Sequence, residues 1–304
     1  MMAEIRSSVQ DTRKSAKTNA QLSAGLYVVA TPIGNLGDIT TRALDTLRSA
    51  DVIACEDTRV TAKLLNAFLI KKPLLAYHEH NGATQRPRLL DMIADGKAVA
   101  LVSDAGTPLI SDPGFKLVSD AANAGFMVTT LPGPCAVIAA LTLAGLATDR
   151  FLFLGFSPNK SNARCMWFEA EKDTSATLVF YESTRRLPES LKDAHQVFGA
   201  RQVVVCREIT KHFEEVVRGD LSDVAAIYAE SGAPKGEVVV VIEGKPKQEH
   251  SQNAALPPSS EILEAALKHN MSVKSAAAFV AELTGEKKKG LYQQALEITN
   301  REST

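Results

Sequence analysis

The sequence predicts an α/β protein made of two α/β domains and a small helical appendage at its carboxyl end. Three observations carry this expectation. At 304 residues the chain is long enough for two buried cores. Short apolar runs alternate with segments of helical period from Leu26 to Gly244, the rhythm of parallel α/β architecture. After Lys245 the composition turns polar and proline-bearing, and helical spacing then returns without strands between.

Residues 1–24 mix Lys, Arg, Ser, Gln and Asn without an apolar core, so they read as a disordered arm. Glu4, Asp11 and the lack of an apolar stretch argue against a signal peptide. In the first domain (25–147) the expected strands are Leu26–Ala30, Val52–Cys55, Pro73–Ala76, Ala98–Val102 and Met127–Leu131. Expected helices are Asp38–Ser49, with Asp38 as cap, then Phe115–Asn123, closed by Gly125, and Ala136–Leu143. The second domain (148–245) follows after a short junction near Gly145–Arg150, so a cleft between tightly packed domains is expected. Its strands are Phe151–Leu154, Thr177–Tyr181, Gln202–Cys206, Glu214–Arg218 and Glu237–Glu243. Its helices are Asn162–Glu171, Leu187–Phe198 and Ser222–Glu230. Residues 246–304 read as a linker, ending near Pro258, and a helical appendage over Ser259–Asn270, Val273–Leu283 and Leu291–Ile298. A surface-packed cap or dimer element and a nucleic-acid-binding helix-turn-helix both fit the appendage.

A hydrophobic fraction of 45% and a charged fraction of 23% are ordinary for a soluble globular protein. The longest apolar runs are interrupted by Pro, Gly and Thr and are unsuited to a bilayer. Net charge of −1 provides no global basic signature, so any RNA contact must use local patches. Cys55, Cys135, Cys165 and Cys206 form no Cys-x-x-Cys pair, which fits a reducing, cytoplasmic setting.

Three loops follow the carboxyl ends of first-domain strands, where open α/β sheets place ligands. The first is Thr31-Pro32-Ile33-Gly34-Asn35-Leu36-Gly37-Asp38, a tight turn with accessible amides. The second runs from Ser103 to Gly114 and holds Asp104 and Asp112 among paired glycines and prolines. Asp104 suits an amine or a ribose hydroxyl, while Asp112 reads equally well as the cap of the next helix. The third, Leu131-Pro132-Gly133-Pro134-Cys135-Ala136, keeps small side chains where a flat ligand would approach. Each loop alone is also a plain strand-to-helix turn, and the ordered set of three is the specific signal.

The ordered segments Val29–Asp38, Cys55–Arg59, Tyr77–Asn81, Ser103–Gly114 and Leu131–Ala136 resemble the tetrapyrrole-methylase (class III methyltransferase) superfamily. Residues 153–158, 180–187 and 207–211 extend the likeness to its 16S ribosomal RNA (cytidine-2′-O)-methyltransferase branch. It covers roughly Gly25–Gly244, and the helical tail is also like that branch. The resemblance implies two domains enclosing S-adenosylmethionine, a parallel-rich first sheet and a mixed second one, and a homodimer. It implies cofactor contacts at Pro32, Ile33, Asp104, Gly106, Thr107, Ile110, Pro132, Gly133, Cys135, Ala136 and Tyr181. Gly106-Thr107-Pro108 replaces the Gly-Asp-Pro of porphyrin-type members, which speaks against a tetrapyrrole substrate.

The resemblance implies transfer of a methyl group to the 2′-hydroxyl of a decoding-centre cytidine in 16S ribosomal RNA, with an assembled small subunit as the substrate. A ribose hydroxyl needs a base, and the candidates are Glu56, Asp57 and His78, with Glu182 and Glu208 behind them. No metal is implied by the scattered histidines. Expected phosphate contacts are Arg59, Lys63, Lys160, Arg164, Arg185, Arg186, Arg207, Lys211 and Lys287–Lys289. A tetrapyrrole or protein side-chain methylase of the same fold, or a non-catalytic ribosome-assembly module, are the competing readings.

Overall fold

A computed structural model describes residues 21–246 and 257–301. Most of the expected arm and linker lies outside the described residues. Those through Lys245 form one compact unit, and those from Pro246 onward form a second.

In the first half, five parallel strands form one sheet in the order β3-β2-β4-β1-β5. They are β1 (Gly25–Val29), β2 (Val52–Cys55), β3 (Leu74–Ala76), β4 (Ala98–Val102) and β5 (Val128–Leu131). Helices α1 (Thr41–Ser49), α2 (Thr58–Ala67), α3 (Gly82–Ala94), α4 (Phe115–Asn123) and α5 (Ala136–Ala144) connect or follow them. Strand alternation divides the core between two faces. Val29, Ile53, Cys55 and Ala100 pack with Ala43 and Leu47 of α1, while Leu26, Ala54, Val99 and Leu101 pack with Leu89 and Leu117. The chain leaves β1 and β4 in opposite directions across the sheet, so these neighbours mark its switch point.

The second sheet is mixed, in the order β6-β7-β10-β8-β9, with only β6 and β7 parallel. Its strands are β6 (Phe151–Phe156), β7 (Thr177–Ser183), β8 (Gln202–Arg207), β9 (Glu215–Asp220) and β10 (Glu237–Ile242). Helices α6 (Ser161–Glu169), α7 (Leu187–Phe198) and α8 (Leu221–Ser231) cover one face through Phe168, Leu191 and Val224. The other face, with Val179, Val204, Cys206, Val239 and Val241, is covered by α5 through Val137, Ala140, Leu141 and Ala144. A helix of the first half thereby completes the core of the second.

The second unit consists of α9 (Ser259–Lys268), α10 (Val273–Thr284) and α11 (Lys288–Arg301) around Leu263, Ala277, Val280 and Leu291. Ser272 caps α10 by accepting from the Ser275 amide, and Gly285 ends it in the left-handed region. No helix among the described residues is long and apolar enough to cross a membrane.

All ten expected strands form, within a residue or two at their ends, but α2 and α3 were not expected. Polar Glu56–Arg59 and His78–Asn81 mask two helix starts, and Pro87 sits inside α3. Asp38 does not cap α1. It closes a short 3-10 turn over Leu36–Asp38, and Thr40 caps the helix by accepting from the Ala43 amide at 3.1 Å.

Arg164, expected to meet phosphate, is fully buried beneath α7. Its Nε donates to Asp193 at 2.8 Å, and its Nη2 lies 2.6 Å from the same carboxylate. A guanidinium so enclosed cannot reach a nucleic acid, and its role is to pin α6 to α7. Asp193→Ala is expected to cost about 3–5 kcal/mol by stranding a buried charge. Urea unfolding of the variant measures this, and a loss below ~1 kcal/mol would show that the pair contributes little.

Candidate active site

Two hydrogen-bonded links hold the three loops together. At the switch point Thr31 and Gly106 exchange backbone hydrogen bonds, amide to carbonyl, at 2.9 and 3.0 Å. Next to that bridge the Thr107 hydroxyl donates to the Pro134 carbonyl at 3.0 Å. Gly106 has φ +82, and an added Cβ would lie 3.3 Å from the Ile33 side chain. The left-handed backbone therefore favours glycine here, and a Cβ would press on Ile33 at the crossing of the loops.

Beside this clasp lies a cavity of roughly 500 Å³ bounded by both sheets. Of the expected cofactor residues, Ile33, Asp104, Ile110, Ala136 and Tyr181 line it. Pro32, Gly106, Thr107, Pro132, Gly133 and Cys135 do not line it and instead shape the loops that do. Tyr181 packs edge-on against Phe153 and tilted against Phe156, with ring centres 5.0 and 5.1 Å away. Burial, with Cys135 and Asp112 nearby, pushes its phenol well above the usual range. It stays neutral, as a stacking wall.

Next to Tyr181 on β7, Glu182 is buried and fully engaged. It accepts from the Ser157 hydroxyl, from the Ser183 amide at 2.7 Å and from Arg186 Nε at 3.0 Å. This network makes Glu182 a fixed acceptor and draws Arg186 into the cavity wall. Sequence reasoning missed the lining residues Phe156 and Gly236–Val239, because their contribution depends on how the second sheet is folded.

A second cavity, of roughly 490 Å³, adjoins the first. Glu56, His78, Arg86, Asp112 and Phe115 are in its wall. Ser111 and Asp112 line both cavities. Leu109 (φ 75) and Ser111 (φ 63) hold left-handed backbone, a strain of the kind that accumulates at functional loops. Asp112 is not the cap of α4, where Gly114 takes that position without a side-chain bond. Burial, opposed by the Ser103 hydroxyl and reinforced by Glu56 and Asp104, raises the Asp112 carboxyl to about 6. Burial and Asp104 also raise Glu56, against the pull of His78.

Asp57 behaves differently. Its carboxylate accepts from the Arg59 amide at 2.8 Å and pairs with the Arg59 guanidinium at 2.6 Å, which holds its pKa down to about 2. It caps α2, its own amide donates to Asp104 at 3.0 Å, and it lines neither cavity. A carboxylate so acidic is a poor proton acceptor, which corrects its place among the candidate bases.

The family model for tetrapyrrole (corrin/porphyrin) methylases matches residues 25–225. The chain belongs to the tetrapyrrole methylase family. A second model, described as the RsmI C-terminal HTH domain, matches residues 255–299. A "Ribosomal RNA small subunit methyltransferase I" of Mesorhizobium japonicum is 46% identical, over 91% of this chain and 93% of that one. The protein of that name from Pasteurella multocida is 46% identical over 92% and 99%. Among solved structures, diphthine synthase superposes with a TM-score of 0.55 at 17% identity, covering 72% of this chain and 89% of that one. Uroporphyrin-III-C-methyltransferase from Thermus thermophilus gives 0.52 at 21%, covering 72% and 94%, a likeness of fold alone.

S-adenosylmethionine is the methyl donor of this tetrapyrrole methylase, and the first cavity fits it. The Tyr181 and Phe156 rings suit a planar heterocycle, and Asp104 is placed for hydroxyl or ammonium groups. When bound, the cofactor supplies an electrophilic methyl group on a sulfonium. The chain's own residues would hold it, exclude water and present the acceptor.

Two predictions follow from this geometry. Gly106→Ala is expected to weaken S-adenosylmethionine binding about tenfold or more by displacing Ile33, as calorimetry would read; unchanged affinity would detach the clasp from the site. Asp112 binds its proton more tightly folded than unfolded, so its stabilising contribution is present below pH ~4 and lost as pH rises through about 6. Asp112→Asn should therefore raise the urea midpoint at pH 8 and leave it unchanged near pH 3.5. A lower midpoint at pH 8 would contradict the strained burial of this carboxylate.

Proposed function

We propose that this chain methylates small-subunit ribosomal RNA, taking its methyl group from S-adenosylmethionine, at the ribose 2′-hydroxyl of a decoding-centre cytidine. The observation that carries the reading is the near-full-length 46% identity to relatives named ribosomal RNA small subunit methyltransferase I. The motifs that resemble the cytidine-2′-O branch supply the atom and the base. The proposal includes a cytoplasmic setting, an assembled small subunit as substrate, a homodimer, and domain limits at 25–147, 148–245 and 246–304.

Surface charge narrows the RNA contacts. Lys63, Lys160 and Arg185 are exposed. Arg207 is paired with Glu215, Lys211 with Glu208 and Glu237, and Arg186 with Glu182. The first three are therefore the better phosphate contacts, since they lose no partner on binding. In the second unit Lys287–Lys289 are exposed at the start of α11, after the Gly285 turn. That arrangement suits a helix-turn-helix, whose second helix presents its first turn to the nucleic acid.

Labelled S-adenosylmethionine, incubated with unmodified small subunits, free ribosomal RNA or porphyrinogens, tests the reading. Label on a 2′-oxygen of one cytidine in the small subunit is expected. Label on a porphyrinogen, or on no RNA, would sink it. Replacing Lys160 and Arg185 together by Glu should weaken subunit binding at least tenfold and flatten its salt dependence, with cofactor affinity unchanged; binding equal to wild type would move the RNA surface elsewhere.

A further inference from the structure

We propose that the second cavity receives the target nucleoside and that Asp112, on the wall it shares with the cofactor cavity, accepts the 2′-hydroxyl proton. The inference rests on the proposed RNA 2′-O-methylation.

Its basis is the position of the wall. A methyl group leaving the first cavity for an acceptor in the second must pass where the two meet, and Ser111 and Asp112 are the residues common to both linings. Left-handed backbone at Leu109 and Ser111 turns the second loop into that position. The second cavity has the chemistry of a nucleoside site. Phe115 is 72% exposed at its wall, a face on which an unstacked base can lie. Lys116 offers a donor, Arg86 adds a guanidinium already paired with Asp120, Glu56 and Glu79 offer acceptors, and His78 Nδ1 is buried with no hydrogen-bond partner. Cytosine presents acceptors and an exocyclic amino donor to such a set.

The step balances without another reactant. The 2′-oxygen bonds to the methyl carbon, the carbon–sulfur bond breaks with its electron pair remaining on sulfur, and the hydroxyl proton passes to an Asp112 carboxylate oxygen. Glu56 from the end of β2, Asp104 from the end of β4 and Tyr181 from β7 act electrostatically on Asp112 or with it. His78, Glu79, Arg86 and Lys116 border it in the second cavity, and Glu182, Arg186 and Glu237 in the first. Burial, reinforced by the two acids, strengthens its hold on a proton, so the base is matched to a pH near neutrality.

Single-turnover methylation of small subunits by the full chain tests this, alongside calorimetry with S-adenosylmethionine. Asp112→Asn is expected to slow the methyl step by about 10²–10⁴ while cofactor affinity stays within about threefold. The wild-type rate should climb tenfold per pH unit below about pH 6 and then level, and Asp112→Asn should lose that limb. Asp112→Glu should keep the limb at a reduced rate, which separates proton transfer from a folding defect. An Asn variant with more than a third of the wild-type rate, or one that loses cofactor affinity in step with rate, would overturn the assignment. Absence of wild-type transfer to any RNA would instead refute the proposed function on which it rests.

Discussion

The site depends on the clasp at the sheet's switch point. The Thr31–Gly106 bridge and the Thr107–Pro134 bond join loops that follow β1, β4 and β5. Adjacent parallel strands place these loops side by side, but do not fix their tips. The clasp does, through backbone groups that need no particular side chain except Thr107. Glycine at 106 lets the crossing close without a Cβ between Ile33 and the third loop. Cofactor geometry is thereby set by main-chain hydrogen bonds, which side-chain motion disturbs little.

The other constraint is α5. Its apolar face fills the core against β7, β8 and β10, so the third loop is tied to both sheets at once. Movement of one sheet against the other would have to break this packing. The first cavity therefore has walls from both sheets without a flexible connection between them. Two carboxylates complete the arrangement: buried Glu182 is held by three donors, whereas half-buried Asp112 stands where two cavities meet with like charges beside it. Two carboxylates on the same cavity wall differ in what they are free to do because their partners differ.

Strands were legible because central strands buried on both faces read as short runs of Val, Ile, Leu and Ala, as in Ala98–Val102 and Glu237–Ile242. The helices α2 and α3 were not, since their first turns carry Asp57 and Asn81 in segments that also read as catalytic loops. The loop positions around the cofactor could be read from glycine and proline spacing, and five of the expected contacts, from Ile33 to Tyr181, reach the cavity. Whether a charge is free could not be read. Arg164 and Arg185 look alike in sequence, yet Asp193, far along the chain, takes one into the interior. Asp112 was visible as a residue of the second loop, but its position between two cavities comes from the turn at Leu109 and Ser111.

The seating of α5 also bears on how the chain is made. Synthesis delivers Val137, Leu141 and Ala144 well before β10, whose Val239 and Val241 cover them. Until that strand emerges, the helix lacks the central strand of the sheet on which its apolar face packs. A nascent chain in that state must be shielded or risk association, and the hazard ends with the last strand of the second sheet. The helix that joins the two halves in the finished protein thus sets the interval in which its precursor is most prone to misassembly.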